Sequence, residues 1–140
     1  MNEAELRQAM STLEIFRAQL ESINQNQQLV QMSLEELGRA KETLVQYQKA
    51  SEGDELLVPV GGNSFVFAKV ATNAKAIVGI GTGVSVEKSM DEAIKTMDDR
   101  ATELIDSMKK LTDRRMAIEE QAATLSQAVD QELQALQGGP

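Results

Sequence analysis

The sequence predicts a mainly α-helical chain: two long helices that pair as an antiparallel coiled-coil hairpin and are joined by a small β insert. Residues 1–50 contain no proline and one glycine, residues 88–137 contain neither, and residues 51–87 hold six of the nine glycines. In both outer segments apolar residues recur at alternating steps of three and four, which is typical of a coiled-coil seam. Because a short connection makes neighbouring helices antiparallel, we expect both termini at the open end of the hairpin, here called the tip.

The N-terminal helix is expected within residues 1–52. Asn2 and Glu5 have the spacing of a capping box at its start, and Gly53 suits a left-handed cap at its end. Ten of the twelve seam positions are apolar, and two successive steps of three around Leu13 predict a stammer, which overwinds the coil locally. The seam positions are Leu6, Met10, Leu13, Phe16, Leu20, Ile23, Gln27, Val30, Leu34, Leu37, Lys41 and Leu44.

The C-terminal helix is expected over residues 89–137. It begins with Ser89 and Glu92, a second capping box, and ends at Gly138-Gly139-Pro140. Twelve of its fourteen seam positions are apolar, and a charged seam residue such as Arg115 is expected to set register or partner choice. The seam positions are Met90, Ile94, Met97, Ala101, Leu104, Met108, Leu111, Arg115, Ile118, Ala122, Leu125, Val129, Glu132 and Leu136.

The middle segment, residues 53–88, is expected to form four short strands as two β-hairpins. The strands are predicted at 55–60, 64–71, 75–81 and 83–87, with turns at Gly61-Gly62-Asn63 for the first pair and Thr72-Asn73-Ala74 for the second. Strands that are apolar on both faces are not stable in water as isolated hairpins, so we expect them to pair with strands of other subunits. The predicted oligomerisation residues are Leu56, Val58, Val60, Phe65, Phe67, Val70, Ile77, Val78, Ile80, Val84 and Val86.

Composition excludes most enzyme chemistry. The 140 residues, a single domain by length, include no Cys and no His, so there is no disulfide, thiol nucleophile or imidazole base. The sequence GIGTG at 79–83 leads into a further strand and not into a helix, as a phosphate-binding loop would. The paired acids Asp98-Asp99 and Glu119-Glu120 point to different sides of a helix and are expected to be solvated. We expect no enzyme, no cofactor and no metal site.

Charge and hydropathy also exclude classes of partner. Fourteen Lys and Arg against 22 Asp and Glu give a net charge of −8, which argues against nucleic acid and anionic membranes. The first ten residues do not have the order of a signal peptide, and the longest nearly uncharged stretch, residues 56–69, is too short to span a bilayer. We therefore expect a soluble cytoplasmic protein that binds neither nucleic acid nor membranes.

The tip is the remaining candidate for function. If the helices splay there, seam residues face water, and Ile15 and Leu133 widen the apolar surface beyond the strict seam. Such a surface binds other exposed apolar surfaces with little sequence preference, and methionine adapts to varied partners. The predicted client-binding residues are Leu6, Met10, Leu13, Ile15, Phe16, Leu125, Val129, Leu133 and Leu136.

The two arms around LVPVGGNSFVFAKV (57–70) and VGIGTGVSVEKSMDEA (78–93) resemble the α class of the prefoldin family, of archaeal type. The resemblance covers essentially the whole chain. Its most specific parts are Val58-Pro59-Val60-Gly61 and Ile80-Gly81-Thr82-Gly83, followed by Val86-Glu87-Lys88. The four-strand insert separates the α class from the β class, which carries one hairpin. Val84 departs from the family pattern, which often has an aromatic residue at this position.

The resemblance implies a hexamer of two α and four prefoldin β subunits. In that family the hairpins assemble into an inter-subunit β-barrel, and the coiled-coil tips hold non-native client proteins without ATP and pass them to a group II chaperonin. The resulting hypothesis is an ATP-independent holdase. Two alternatives remain: a structural coiled-coil scaffold or tether, and an accessory arm of the tRNA-binding kind. The latter needs a basic face, whereas residues 88–140 carry eleven acids and seven bases.

Overall fold

The computed structural model describes residues 1–138 and contains six elements. In chain order these are helix α1 (Glu3–Lys49), strands β1 (Glu55–Gly61), β2 (Ser64–Lys69), β3 (Lys75–Gly81) and β4 (Val84–Ser89), and helix α2 (Met90–Gln137). The predicted fold class, two long helices joined by two small hairpins, is confirmed. Gly138 donates its N–H to the carbonyl of Gln134 at 2.7 Å, while the rest of the predicted end, residues 139 and 140, lies outside the described residues.

The chain divides into two compact units, each of which contains part of both helices. Among the described residues, the tip unit comprises 1–32 and 104–138. The hairpin unit comprises residues 33–103 and includes all four strands. Each unit is described on its own below.

At each predicted capping box, the bond from the backbone N–H of the acidic residue to the capping side chain is present. The Glu5 N–H donates to the Asn2 side-chain carbonyl at 2.8 Å, and the Glu92 N–H donates to the Ser89 hydroxyl at 3.2 Å. These bonds satisfy backbone donors that have no partner within the first turn of a helix.

The C-terminal cap of α1 differs from the prediction. The helix ends at Lys49, and the Asn73 amide donates to the carbonyls of Gln48 and Ala50 at 3.2 and 2.6 Å. Gly53 does have a left-handed backbone, with φ of 87°, but its N–H bonds to the Val70 carbonyl in the turn that enters β1. The prediction that Gly53 caps the helix is therefore wrong. The Asn73 side chain, from the linker between the hairpins, bonds the free carbonyls at the helix end instead.

The seam of α1 contains Ala9 in place of the predicted Met10. Ala9 is buried, whereas Met10 is about half exposed. With Ala9 in the seam, the steps from Leu6 through Leu13 to Phe16 alternate between three and four without interruption. The predicted stammer is therefore wrong: a small buried side chain continues the heptad pattern, and the larger neighbouring methionine lies outside it.

Polar residues that interrupt the seams find partners on the facing helix. In the tip unit, Arg115 donates to the side-chain oxygen of Gln27 at 2.8 Å, and the side-chain NH2 of Gln27 donates to the Thr112 hydroxyl at 3.1 Å. In the hairpin unit, the Lys41 ammonium lies 2.8 Å from the Asp98 carboxylate. Residues that come later in α1 pair with residues that come earlier in α2, so the helices are antiparallel in each unit.

The strands form two separate antiparallel sheets, β1 with β2 and β3 with β4. The linker at Thr72-Asn73-Ala74 joins β2 to β3 without pairing them, so the prediction that it turns the second strand pair is wrong. The second pair turns at Gly81–Gly83 and the first at Gly61–Asn63, and all three residues have positive φ in each turn. Each hairpin has one register shift, before Gly61 and before Gly81. The second hairpin thus repeats the first twenty residues later in the chain.

The buried apolar side chains of the hairpin unit lie mostly where strands and helices begin or end. They include Val70 directly after β2, Met90 at the start of α2, and Ala93 one turn further on. Val78, in the middle of β3, is the strand residue that is most completely buried. This burial leaves most of the first hairpin exposed.

Candidate functional site

The described residues offer no site for metal or acid–base chemistry. Within residues 1–138 no three Asp or Glu side chains are placed to hold a metal ion, and no described helix combines the length and apolar character needed to cross a bilayer. The pKa of the Lys95 ammonium is raised by a hydrogen bond to Asp99 and by the charge of that carboxylate. Lys95 and Asp99 are exposed on one helix, and the raised pKa keeps the lysine protonated, so Lys95 is not a candidate nucleophile. Exposed apolar surface is the feature that remains, and each unit contains some.

In the tip unit, four of the nine predicted client-binding residues are exposed. We call them the tip surface: Met10, Ile15, Leu133 and Leu136, which are 49%, 53%, 36% and 68% exposed. They lie in the first few and the last turns of the helices, where both predicted arms have their free ends. Exposed apolar side chains at one end of a unit make these four residues the candidate interaction surface of that unit.

The other five predicted residues are less accessible. Leu6, Leu13, Phe16 and Leu125 are half-buried, and Val129 is only 5% exposed. Because Val129 on α2 and Ala9 on α1 are both buried, the helices do not splay as far as these residues. The condition for Val129 to face water is therefore not met in this structure.

An ion pair links the N-terminus to helix α2 near the free end of the tip unit. The N-terminal ammonium of Met1 lies 3.0 Å from the Glu132 carboxylate. Glu132 is one of the two polar seam residues of α2, and this bond gives it a partner on the other side of the seam. Leu136 lies one turn beyond Glu132, which accounts for its larger exposure.

A shallow groove in the tip unit brings two predicted residues together. Phe16 of α1 and Leu125 of α2 both line it, and its volume is about 590 Å³. The rest of its lining comes from α2 and consists mostly of small or polar side chains, namely Ala117, Glu120, Gln121, Thr124 and Ala128. Small residues beside two large apolar ones leave space for an incoming apolar side chain.

In the hairpin unit, one face of the first sheet is more exposed than the other. In the strand register Leu57 lies opposite Phe67, and Pro59 lies opposite Phe65. All four side chains are exposed, and Phe67 is 85% exposed. We call these four residues the hairpin surface. Leu57 and Pro59 were not among the predicted oligomerisation residues, but cross-strand register places them with the two phenylalanines.

The remaining predicted oligomerisation residues divide between exposed and buried positions. Val70 and Val78 are buried within the unit, so they are not available as surface in this structure. Val58, Val60, Ile77, Ile80 and Val84 are exposed, whereas Leu56 and Val86 are half-buried. The alternation of a strand explains this result: Val78 lies on the face opposite Ile77, and a single apolar run does not reveal which face packs inward.

The second hairpin has a different outer face. Ile77 lies opposite Glu87, and Gly79 lies opposite Ser85. Ile77 is 77% exposed, but its neighbours are polar or lack a side chain. The two hairpins therefore have the same strand register but different outer faces: the first is aromatic and the second is largely polar.

Comparison with known proteins gives consistent matches. The family model described as "Prefoldin subunit" matches residues 16–135. Prefoldin subunit alpha of Methanothrix thermoacetophila is 35% identical over 109 residues, which are 78% of this chain and 71% of that protein. Prefoldin subunit alpha of Pyrococcus horikoshii is 34% identical over 110 residues, 78% of this chain and 74% of that protein.

Two solved structures are similar over nearly the full length. One is a filamentous PFD from Methanocaldococcus jannaschii, with a TM-score of 0.60 and 26% identity, covering 91% of this chain and 97% of that chain. The other is the prefoldin beta subunit from Thermococcus strain KS-1, with a TM-score of 0.58 and 18% identity, covering 92% of each chain. At this identity the second likeness concerns the fold alone.

Proposed function

This chain belongs to the prefoldin family, and from that premise we propose that it is an α-class subunit of an ATP-independent holdase chaperone. It holds non-native polypeptides through the tip surface and joins other subunits through its hairpins. The observation that carries the proposal is the tip surface, four large apolar side chains that are exposed at the ends of both helices. A protein that binds unfolded chains needs such a surface, and one that only spaces its partners apart does not.

The contact with a client is weak at each tip. Burial of apolar area contributes about 25 cal/mol per Å², so a few side chains on one tip give a modest affinity. Several tips that act on one client add through multivalency, and the client can leave stepwise without nucleotide hydrolysis. The groove between Phe16 and Leu125 accepts one apolar client side chain. Leu6, Leu13 and Val129 become available when the end of the coiled coil opens.

The hairpins supply the assembly contacts. A two-stranded sheet is marginal in water, and the exposed aromatic face of the first hairpin adds an apolar patch that needs a cover. The cover is a strand or sheet of another prefoldin subunit, in a hexamer of two α and four β subunits built around a β-barrel. The complex acts in the cytoplasm and delivers clients to a group II chaperonin.

The test combines the chain with a β-class prefoldin subunit and follows the aggregation of a chemically denatured enzyme. A triple variant, Met10→Ser with Ile15→Ser and Leu136→Ser, removes most of the tip surface from exposed positions. We expect suppression of aggregation to fall at least about tenfold per mole of complex, because weaker apolar burial at one tip is multiplied over the several tips that hold a client. Native mass and helix content should not change.

The matched control is Leu29→Ser with Met32→Ser, two exposed apolar residues of α1 that are outside the predicted tip. We expect this variant to suppress aggregation as the unmodified chain does. Equal activity of the triple variant and the unmodified chain would refute the tip as the client site. If the unmodified complex assembles but suppresses nothing, the structural scaffold is the correct function.

A further inference from the structure

We infer that Pro59 and Arg100 fix how far a strand of another subunit can pair along each hairpin. They obstruct the outer edges of β1 and β3 near the turns, whereas within residues 1–138 the outer edges of β2 and β4 have no backbone partner there. The inference rests on the proposed assembly and adds to it the residues that determine strand register between subunits. It follows from which residue pairs of the two sheets are hydrogen-bonded and which are not, here called the hydrogen-bond phase.

Backbone bonds at the base of each hairpin set that phase. The Val70 N–H donates to the Asp54 carbonyl at 2.9 Å, and the Met90 N–H donates to the Ala74 carbonyl at 2.8 Å. Hydrogen-bonded and non-hydrogen-bonded pairs alternate along an antiparallel ladder. The pairs Pro59–Phe65 and Gly79–Ser85 are therefore non-hydrogen-bonded, and their backbone groups point outward, away from the partner strand.

Pro59 removes a donor from the outer edge of β1. A residue at this position would normally offer both an N–H and a carbonyl to a neighbouring strand, but proline has no N–H. Its ring is tolerated here because the missing donor does not belong to the β1–β2 ladder. A strand that joins β1 can pair with Glu55 and Leu57 and loses its next hydrogen bond at Pro59.

Arg100 obstructs the matching position on β3 by a different route. Gly79 stands twenty residues after Pro59, and its outward carbonyl accepts a hydrogen bond from the Arg100 guanidinium at 2.5 Å. Arg100 lies on α2 and is half-buried, so the bond ties the strand edge to the helix of the same unit. Arg100 therefore competes with a neighbouring strand for this acceptor.

The second strand of the first hairpin has no such obstruction. Phe65, Phe67 and Lys69 of β2 belong to the outward-pointing pairs, and within residues 1–138 no backbone partner bonds their outward groups. The Phe65 and Phe67 side chains beside this edge need lasting cover, which a weakly held client does not give. A strand of another subunit is therefore the occupant. It can pair along β2 up to the turn, but along β1 only to Leu57.

Unequal overlap on the two sides of a hairpin produces a stagger between successive strands. A sheet closes into a barrel only when its strands are staggered and tilted in this way. Equivalent obstructions at Pro59 and Gly79 give both hairpins the same stagger. Pro59 and Arg100 thus act on the geometry of assembly and not on the stability of the helices.

The experiment measures amide hydrogen exchange of the full-length chain, alone and in complex with a β-class prefoldin subunit. On assembly we expect the amides of Phe65 and Phe67 to slow at least about tenfold, as buried strand amides do, while the Gly79 amide keeps its rate. In Arg100→Ala the freed Gly79 carbonyl should admit one more pair, and the Gly79 amide should then slow in the complex. Arg114→Ala, an exposed arginine of α2 in the tip unit, is the control.

The outcomes separate the inference from the proposed assembly. Protection of the Gly79 amide equal to that of Phe65 in the unmodified complex would overturn the inference while the assembly stands. A complex in which Phe65 and Phe67 exchange freely would overturn it as well. Failure of the two subunits to form any complex would overturn the assembly and the inference together. The measurement on the unmodified chain does not depend on whether the Arg100→Ala variant folds.

Discussion

At the scale of single residues, a buried polar contact fixes the pairing of the two helices in the tip unit. Gln27 is buried, and it bonds both Arg115 and Thr112 on the facing helix. Any shift of one helix along the other would leave the partly buried Gln27 amide without its partners and the Arg115 guanidinium with only Glu119 of its own helix. Such polar seam residues specify register at some cost in stability.

We predict opposite effects for single and paired substitutions in this contact. Gln27→Leu alone removes the partner of Arg115 on the facing helix, leaves only Glu119 of the same helix, and should lower the free energy of unfolding by about 1–3 kcal/mol. Gln27→Leu combined with Arg115→Leu replaces the polar contact by apolar packing and should raise the melting temperature above that of the unmodified chain. Thermal unfolding of the two single variants and the double variant, followed by circular dichroism, measures the coupling. A coupling near zero would contradict this account.

Part of this contact is visible in the sequence. Gln27 and Arg115 stand out because they interrupt apolar seams, and an antiparallel hairpin already implies that they face another helix. Their mutual bond is not predictable from one sequence, because it depends on an axial register that many near-equivalent heptads leave open. The same difficulty explains the choice of Met10 over Ala9: both fit the spacing, and only packing distinguishes them.

At the scale of secondary-structure elements, the two hairpins use one turn with different residues. The first turn has glycine at 61 and 62 and Asn63, whereas the second has glycine at 81 and 83 around Thr82. Thr82 has φ of 52°, which is a strained conformation for a β-branched residue. Sequence alone predicts the first turn well, because its residues favour positive φ, and predicts the second less well, because Thr82 does not.

We predict that Thr82→Gly stabilises the hairpin unit. Glycine adopts the required backbone without the steric cost, and we expect a gain of about 0.5–1 kcal/mol in the free energy of unfolding. Asn63→Gly is the matched control in the first turn, and it should gain less, since asparagine tolerates a left-handed conformation. Denaturant unfolding of both variants in the assembled complex tests this. A loss of stability in Thr82→Gly would show that the threonine side chain makes a contact worth more than the strain.

At the scale of the whole molecule, we predict that charge sets the preference among clients of the proposed holdase. The chain has a net charge of −8 and an isoelectric point near 4.6. Apolar contacts at the tip surface have no preference for charge, but the field of an acidic chain attracts basic polypeptides and repels acidic ones. Selectivity should therefore come from long-range electrostatics, and affinity from apolar burial.

Salt separates these two contributions. At low ionic strength we expect the complex to suppress aggregation of a basic denatured client at lower concentration than that of an acidic client of equal length. At about 1 M salt, where the screening length falls to about 3 Å, this difference should vanish while suppression itself persists. Light scattering with both clients across a salt series provides the measurement. A preference that is unchanged by salt would place the selectivity in the contacts themselves.

The duplicated hairpin has a consequence for valence. The first hairpin has an apolar outer face and the second a largely polar one, although both have the same register shift before the turn. Each hairpin has two edges, so a chain with two unlike hairpins can contact more neighbours, and more dissimilar ones, than a chain with a single hairpin. Under the proposed assembly, the number of chains with two hairpins would therefore limit the size of any closed particle.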